Sequence, residues 1–320
     1  MATSVLARPG LLGCIGNTPM IELRRVVPAG CATVLAKAEF MNPGGSVKDR
    51  IARYIVQQAQ ERGELRPGST ILEVTSGNTG IAFAMVGAEM GYRVVLMMPC
   101  CASVERRRMI TAFGAELELI DSLLHISDAR REAESRAARD PKIFLPRQFE
   151  NLDNPRAHAV TTGPEILAQA GPDIDAFVMG VGTGGTLMGV AESLCKVRSR
   201  VRIVAVEPAE SAVMSGEVPG CHGIQGLADG FIPEIVDMSR VDQVIKVSTQ
   251  DAIAMAMALS REEALFVGIS AGANVLAARQ VAKELGPGKK VVTILPDRGE
   301  RYLSVWSEQV TSREGLHKRQ

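Results

Sequence analysis

Hydrophobic positions along the chain fall mainly into short continuous runs, separated by stretches with helical spacing. Val34 to Phe40, Thr70 to Val74, Arg93 to Met98, Glu116 to Ile120, Ala176 to Met179, Arg202 to Val206 and Lys290 to Leu295 read as strands. Between them, Ile51, Tyr54, Ile55 and Gln58 open a helical pattern. Ile81 to Met90 reads as an apolar helix closed by Gly91, Ser103 to Phe113 as a helix stopped at Gly114, and Leu187 to Cys195 as another. Strands alternating with helices predict an α/β fold with mostly parallel sheets. Continuous Val-Ile-Leu runs, rather than polar alternation, predict sheets covered on both faces. Two similar units stand out without a strict repeat, one from Val34 to about Asn151 and one from Thr161 to Leu303. The stretch Asn151 to Pro155 is the most linker-like break.

Composition narrows the function classes. The 320 residues suffice for one large or two moderate domains, and 46% apolar content is ordinary for a globular protein. Lys plus Arg equals Asp plus Glu at 36 each, which argues against a nucleic-acid or anionic-membrane partner. No apolar stretch is long enough to span a bilayer, and no secretory signal pattern stands at the N-terminus. The six cysteines lack metal-ligand spacing, so no metal site is expected and free thiols in a reducing cytoplasm are the simpler reading. His125, His158, His222 and His317 are scattered, with neither an HExxH pattern nor a GxSxG elbow. The last dozen residues read as a polar tail.

Three glycine-rich turns carry the candidate chemistry. Gly180-Val181-Gly182-Thr183-Gly184-Gly185-Thr186 follows a strand and opens a helix, so its backbone N–H groups form a phosphate pocket. The same segment is formally a GxGxxG fingerprint, and Glu207 ends the next strand where a ribose ligand would stand. An NAD-dependent oxidoreductase is therefore a rival reading. Thr75-Ser76-Gly77-Asn78-Thr79-Gly80 packs hydroxyls, an amide and glycines before a helix, which suits a carboxylate; the plain alternative is a capping turn with Thr79 as N-cap. Gly268 to Asn274 reads as a third strand-to-helix turn, with Ser270 a natural N-cap. All three turns are expected at the carboxyl ends of strands, facing one cleft.

Lys48 belongs with them. It follows the turn at Pro43, Gly44 and Gly45 and falls in the first turn of a helix, beside Ser46 as N-cap. That is the wrong end of a helix for a cation. Such a lysine is either solvated and incidental, or has a lowered pKa and a nucleophilic amine fit for imine chemistry. An amine, a phosphate cradle, a carboxylate cradle and a neutral hydroxyl together suit pyridoxal 5′-phosphate and an amino-acid substrate.

At this point the chain resembles fold-type II pyridoxal-phosphate enzymes of the cysteine synthase (O-acetylserine sulfhydrylase) and cystathionine β-synthase family. The resemblance covers nearly the whole chain. It rests on Gly16-Asn17-Thr18-Pro19, Asn42 to Arg50, Thr75 to Gly80, Glu105-Arg106-Arg107, Gln148-Phe149-Glu150-Asn151, Thr161 to Glu165, Gly182 to Thr186, Ile224-Gln225-Gly226 and Gly299 to Ser304. It implies two open, mostly parallel twisted sheets flanked by helices, in the tryptophan synthase β-like arrangement, with the active site in the cleft between domains. A smaller domain of 35–152 would carry Lys48, and a larger one of 1–34 plus 153–320 the phosphate loop.

By position, the resemblance makes Lys48 the Schiff-base lysine and the base for the substrate's α-proton. Asn78 would contact the ring hydroxyl. Gly182, Thr183, Gly184, Gly185 and Thr186 would hold the phosphate, and Ser270 would hydrogen-bond the pyridine nitrogen. Thr75, Ser76, Thr79 and Gln148 would grip the substrate carboxylate. The implied reaction is β-replacement on O-acetyl-L-serine by sulfide, through an aminoacrylate, to give L-cysteine and acetate. A hydroxyl rather than a carboxylate at Ser270 makes the ring a weaker electron sink, which favours prompt β-elimination.

Departures from the family pattern bear on the substrates: Cys100-Cys101-Ala102, Leu227-Ala228-Asp229-Gly230 and Pro296-Asp297-Arg298-Gly299. Asp229 would bind an amine, repel an anionic donor or face solvent, the last being the usual fate of Asp. Cystathionine β-synthase and O-phosphoserine sulfhydrylase are the nearest alternative activities, and a weak catalyst serving as scaffold a further one. The resemblance also implies a cytoplasmic homodimer whose cleft accepts the C-terminal tail of serine acetyltransferase.

Overall fold

A computed structural model of the chain describes residues 10–306 except 76, 101, 121–125 and 199. Ser76 and the cysteine at 101 therefore lie outside the described residues, as do His125 and His317.

The smaller sheet is built from β3 (Thr70–Val74), β4 (Arg93–Pro99), β5 (Glu116–Ile120) and β6 (Ile143–Phe144), in the order β5-β4-β3-β6 with every pairing parallel. The crossovers are α2 (Asn78–Met90), α3 (Val104–Ala112) and α4 (Ile126–Arg139). As expected, α2 ends where Gly91 turns left-handed, at φ +74°. Ser103 caps α3 by accepting the Arg106 N–H.

The larger sheet holds β1 (Met20–Leu23), β2 (Thr33–Lys37), β7 (Ala176–Gly180), β8 (Arg202–Pro208), β9 (Gln243–Val247) and β10 (Lys290–Ile294). Its order is β1-β2-β10-β7-β8-β9, parallel except for the β1–β2 pair. The remaining helices are α1 (Lys48–Glu61), α5 (Asp153–Val160), α6 (Thr162–Ala170), α7 (Gly185–Val197), α8 (Thr249–Glu262) and α9 (Ile269–Leu285).

Alternate residues of one strand feed different cores, as a two-residue side-chain period requires. Val178, Val204, Val206 and Val291 pack on one face of the larger sheet; Phe177, Met179, Ile203 and Val292 pack on the other. In the smaller sheet Ile71, Val94 and Leu96 face one core while Leu72, Val95 and Met97 face its opposite. Both sheets are thus covered on both sides, which is why their strands lack polar alternation.

Three local expectations change. The apolar run from Val34 breaks at Lys37, because Glu39–Met41 forms a 3-10 helix, and β2 joins the larger sheet. Asn151 to Pro155 is no free linker: Asp153 starts α5, its N–H donating to Asn151 Oδ1 at 2.9 Å. Pro155 is tolerated because a first-turn residue needs no intrahelical N–H bond. Finally, α9 follows no strand of either sheet, only an isolated bridge between Val267 and Arg298.

Candidate active site

Lys48 is the first residue of α1, and a dense set of contacts fixes the turn before it. The Asp49 carboxylate accepts the Gly44 N–H at 2.6 Å and closes that turn. The Val47 N–H donates to the Pro296 carbonyl at 2.8 Å, and Ser46 bridges to Asp297, so the loop is stitched to the end of β10. Val47, not Ser46, occupies the N-cap position; the Ser46 hydroxyl still accepts the Lys48 N–H, at 3.3 Å. Two residues further, Arg50 forks onto two carboxylates, reaching Glu39 at 2.6 and 2.7 Å and Glu165 at 2.7 Å twice. Lys37 adds a second cation, at 2.7 Å from Glu165. Removing one member of such a buried ionic cluster typically costs about 3–5 kcal/mol, so it holds α1 firmly.

The Lys48 amine has no hydrogen-bond partner among the described residues. Solvent reaches part of the side chain, but protein surrounds it closely enough for burial to lower its pKa to about 8. The attraction of Asp229 opposes that shift. Burial, more than the helix end, therefore gives Lys48 its neutral fraction. Asp229 is open to solvent, yet burial among its neighbours raises its pKa, while Lys48, Arg130 and His222 pull it back. Its carboxylate thus faces solvent, as its residue type suggests, and lies in the field of the Lys48 amine as well. Ala228 beside it takes a left-handed φ of +44°, held by its N–H on the Val181 carbonyl at 2.9 Å.

The phosphate turn joins β7 to α7. Gly184 has φ +82°, a conformation that favours glycine, and precedes the first residue of the helix. No acidic residue stands in the first turn of α7, whose leading N–H groups lack intrahelical partners by geometry. An added Cβ at Gly182 would approach the Gly226 carbonyl to 2.2 Å, and one at Gly185 the Asn154 Oδ1 to 1.9 Å. Thr183 and Thr186 are buried. This cradle suits a phosphate dianion.

The turn expected to hold a carboxylate follows β3 and opens α2. Thr79 Oγ1 donates to Gln148 Oε1 at 2.7 Å, and the Gly77 N–H reaches Thr75 Oγ1 at 3.2 Å. Gly77 holds the N-cap position without a side-chain bond, so Thr79 is not the cap and its hydroxyl serves Gln148. Thr75, Thr79 and Gln148 are thereby gathered as expected. Asn154 ties the two turns together, since its Nδ2 donates to the Gln148 carbonyl at 2.7 Å and to Thr183 Oγ1 at 3.0 Å.

Ser270 is buried in the first turn of α9, with Gly268 in the cap position expected of Ser270. Asn78 opens α2 between Asp297 and Arg301. Glu207 is excluded as a ribose ligand: its carboxylate accepts the N–H groups of Met214 and Ser215, at 2.8 and 3.1 Å, and the Ser215 hydroxyl at 2.6 Å. The fingerprint reading of the glycine turn loses its acidic partner.

Local sequence did not disclose Asn154, His158, Asp297 or Arg301. His158 had looked incidental among scattered histidines, whereas it is fully buried against Thr162 and Thr186. Asp297 carried one available signal, its place just beyond the carboxyl end of β10.

A glycine turn opening α7, a hydroxyl-rich turn before α2 and a lysine of lowered pKa, on an α/β fold with two parallel-rich sheets, fit the class of cofactor-dependent enzymes acting on small anionic substrates. The pyridoxal-phosphate dependent enzyme family model matches residues 11–297, and the chain belongs to that family. It is 49% identical over 291 residues to a cysteine synthase of Staphylococcus aureus, covering 91% of this chain and 94% of that protein. The fold superposes with a TM-score of 0.88 on the cysteine synthase of Entamoeba histolytica, at 43% identity, covering 95% of this chain and 92% of that one. An O-ureido-L-serine synthase structure also superposes at 0.88, with 44% identity over 92% of this chain and 93% of that one.

Proposed function

We propose that the chain is a cysteine synthase, an O-acetylserine sulfhydrylase, that replaces the β-acetoxy group of O-acetyl-L-serine with sulfide to give L-cysteine and acetate. One arrangement carries this reading: Lys48, with a pKa of about 8, acts electrostatically on His158, which meets Thr186 of the phosphate turn, and Asn154 links that turn to Gln148, the partner of Thr79 in the carboxylate turn. Pyridoxal phosphate, when bound, supplies the electron sink that makes the α-proton removable and the β-substituent a leaving group. The backbone and hydroxyls of Gly182, Thr183, Gly184, Gly185 and Thr186 would hold its phosphate. Asn78 would face the ring hydroxyl and Ser270 the ring nitrogen.

The chain's own groups do the rest. Thr75, Ser76, Thr79 and Gln148 fix the substrate carboxylate, which sets the α-carbon near Lys48. The Lys48 amine serves as the covalent anchor, then takes the α-proton and returns it after sulfide has added. At neutral pH an amine of pKa about 8 gives and accepts a proton with little driving force wasted either way.

The proposal extends to a division into domains of 35–152 and 1–34 plus 153–320, with the cleft between them and the first boundary moved past β2, whose Thr33–Lys37 belongs to the larger sheet. It further includes a homodimer, a cytoplasmic location and docking of a serine acetyltransferase C-terminal tail in the cleft. No helix among the described residues is long and apolar enough to cross a membrane.

Borohydride reduction of the purified holoenzyme, followed by peptide mapping, tests the anchor: the cofactor should be trapped on Lys48, and a label elsewhere overturns the assignment. Steady-state comparison of O-acetylserine, O-phosphoserine and serine, each against sulfide and homocysteine, tests the reaction. The highest kcat/KM is expected for O-acetylserine with sulfide; a preference for serine with homocysteine would make the enzyme a cystathionine β-synthase.

A further inference from the structure

Asp297 has no role so far, although it joins Asn78, the loop before Lys48 and the start of α9. It follows β10 and its side chain is fully buried. Oδ2 accepts two hydrogen bonds of 2.6 Å, from Nδ2 of Asn78 and from the Tyr302 hydroxyl. Oδ1 has no partner among the described residues and lies against Gly268, where an added Cβ would approach it to 2.1 Å. Through its main chain Asp297 bridges to Ser46, two residues before Lys48, and its carbonyl accepts the N–H of Gly268, two residues before Ser270. The side chain thus grips Asn78 while the backbone ties down the Lys48 loop and the start of α9.

The consequence falls on Asn78. A carboxamide has a donor end and an acceptor end, and its neighbours decide which points where. Arg301 is a donor only and meets the Asn78 carbonyl oxygen. The Asp297 oxygen, already accepting the Tyr302 hydroxyl, meets the Asn78 amide nitrogen. A reversed amide would set oxygen against the carboxyl and NH2 against the guanidinium, losing both bonds. With the carbonyl committed to Arg301 and one N–H to Asp297, the second amide N–H is the polar hydrogen of the Asn78 side chain left for a ligand.

We infer that Asp297 is a positioning residue: with Arg301 it presents the free amide N–H of Asn78 to the cofactor, so that the ring hydroxyl oxygen is held as an acceptor. This rests on the function proposed above, in which Asn78 faces that hydroxyl. A donor there stabilises the cofactor form whose ring oxygen has given up its proton, the form that absorbs in the visible rather than the near ultraviolet.

The test uses reconstituted holoenzyme carrying Asp297→Ala or Asp297→Asn, each with Asn78 intact and with Asn78→Ala. Readouts are the cofactor dissociation constant and the ratio of its visible to near-ultraviolet absorbance. Asp297→Ala should weaken cofactor binding about tenfold, the scale of one hydrogen bond, and lower the band ratio. Asp297→Asn, which keeps an acceptor oxygen for Asn78, should restore most of both. In the Asn78→Ala background, Asp297→Ala should add nothing. An unchanged band ratio, or effects that multiply in full without Asn78, overturns the inference. If Asp297→Ala does not fold, Asp297→Ser, whose hydroxyl is too short to reach Asn78, carries the same two outcomes. Borohydride trapping of the wild type separates the levels. A cofactor not trapped on Lys48 removes the proposed function, whereas one trapped there with a band ratio insensitive to Asp297 removes only the role of Asp297.

Discussion

Nε2 of His158 lies 3.2 Å from Oγ1 of Thr186, and the ring's Nδ1 lies 2.9 Å from Oγ1 of Thr162. Burial, together with the nearby charges of Arg50 and Lys48, holds the His158 pKa well below its ordinary value. The ring is therefore neutral, with one donor and one acceptor nitrogen, and each nitrogen has a hydroxyl that can take either part. The pair fixes the rotamer of Thr186 at the mouth of the phosphate turn. Replacing His158 with Phe fills similar space but strands both hydroxyls. Cofactor affinity should fall about tenfold, as expected for lost buried hydrogen bonds. Titration of the apo-protein with pyridoxal phosphate measures it; unchanged affinity would show that Thr186 needs no such support.

Lys48 and Asp229 make a pH prediction. The amine's pKa is lowered by burial to about 8, and Asp229 holds it up from a still lower value. Acylation of Lys48 in the apo-protein, followed by peptide mapping, should accelerate as pH rises through about 8 and level off above it. Asp229→Asn removes the attraction that favours the ammonium, so the midpoint should move to lower pH. A midpoint that stays or rises would mean that Asp229 does not act on the amine.

Behind the carboxylate turn, Glu73 is buried with Oε1 accepting the Val74 N–H at 3.0 Å, while Oε2 has no partner among the described residues. Burial raises its pKa from 4.5 to about 7. Between those two values the folded state keeps a proton that the unfolded chain has released, so stability falls as pH rises through that window and the loss is complete above it. Glu73→Gln does not titrate and lacks this pH dependence. It should match the wild type most closely at acid pH and become the more stable of the two toward neutrality, by ~3 kcal/mol at most, given about 1.4 kcal/mol per tenfold change in proton affinity. Urea melts of both proteins across the window test this; a difference independent of pH would contradict it.

The legible and illegible parts of this site divide by range. Continuous apolar runs report burial on two faces, so β3, β5 and the phosphate turn after β7 could be located from their own residues. Lys48 and the glycine turns were visible because each breaks a local rule: a cation at a helix start, or glycines where a side chain would ordinarily pack. The Asn78–Asp297 bond spans 219 residues, and nothing beside either residue reports the other. His158 looked incidental for the same reason, its Thr186 partner lying 28 residues further on. Ser270 misled in the opposite way. Serine is a good N-cap, but Gly268 takes that place, where its N–H donates to the Asp297 carbonyl and any Cβ would run into Asp297 Oδ1, and Ser270 falls in the first turn of α9.

Gly185 separates packing from chemistry. A Cβ there would lie 1.9 Å from Oδ1 and 2.4 Å from Cγ of Asn154, a fully buried side chain whose amide nitrogen already bonds the Gln148 carbonyl and Thr183 Oγ1. Asn154 has nowhere to retreat without releasing one of the two turns. Gly185→Ala should therefore weaken cofactor binding about 30-fold, equivalent to ~2 kcal/mol of overpacking, and raise the KM for O-acetylserine through Gln148. Asn154→Ala alone should also weaken both, because it unties the turns. Combined with Gly185→Ala, however, it removes the atoms in the way. The double variant should then bind the cofactor more tightly than Gly185→Ala alone, a reversal of sign that independent defects cannot give. If the two losses simply multiply, the clash is not what makes glycine necessary at this position, and the backbone N–H of residue 185 would have to be credited instead.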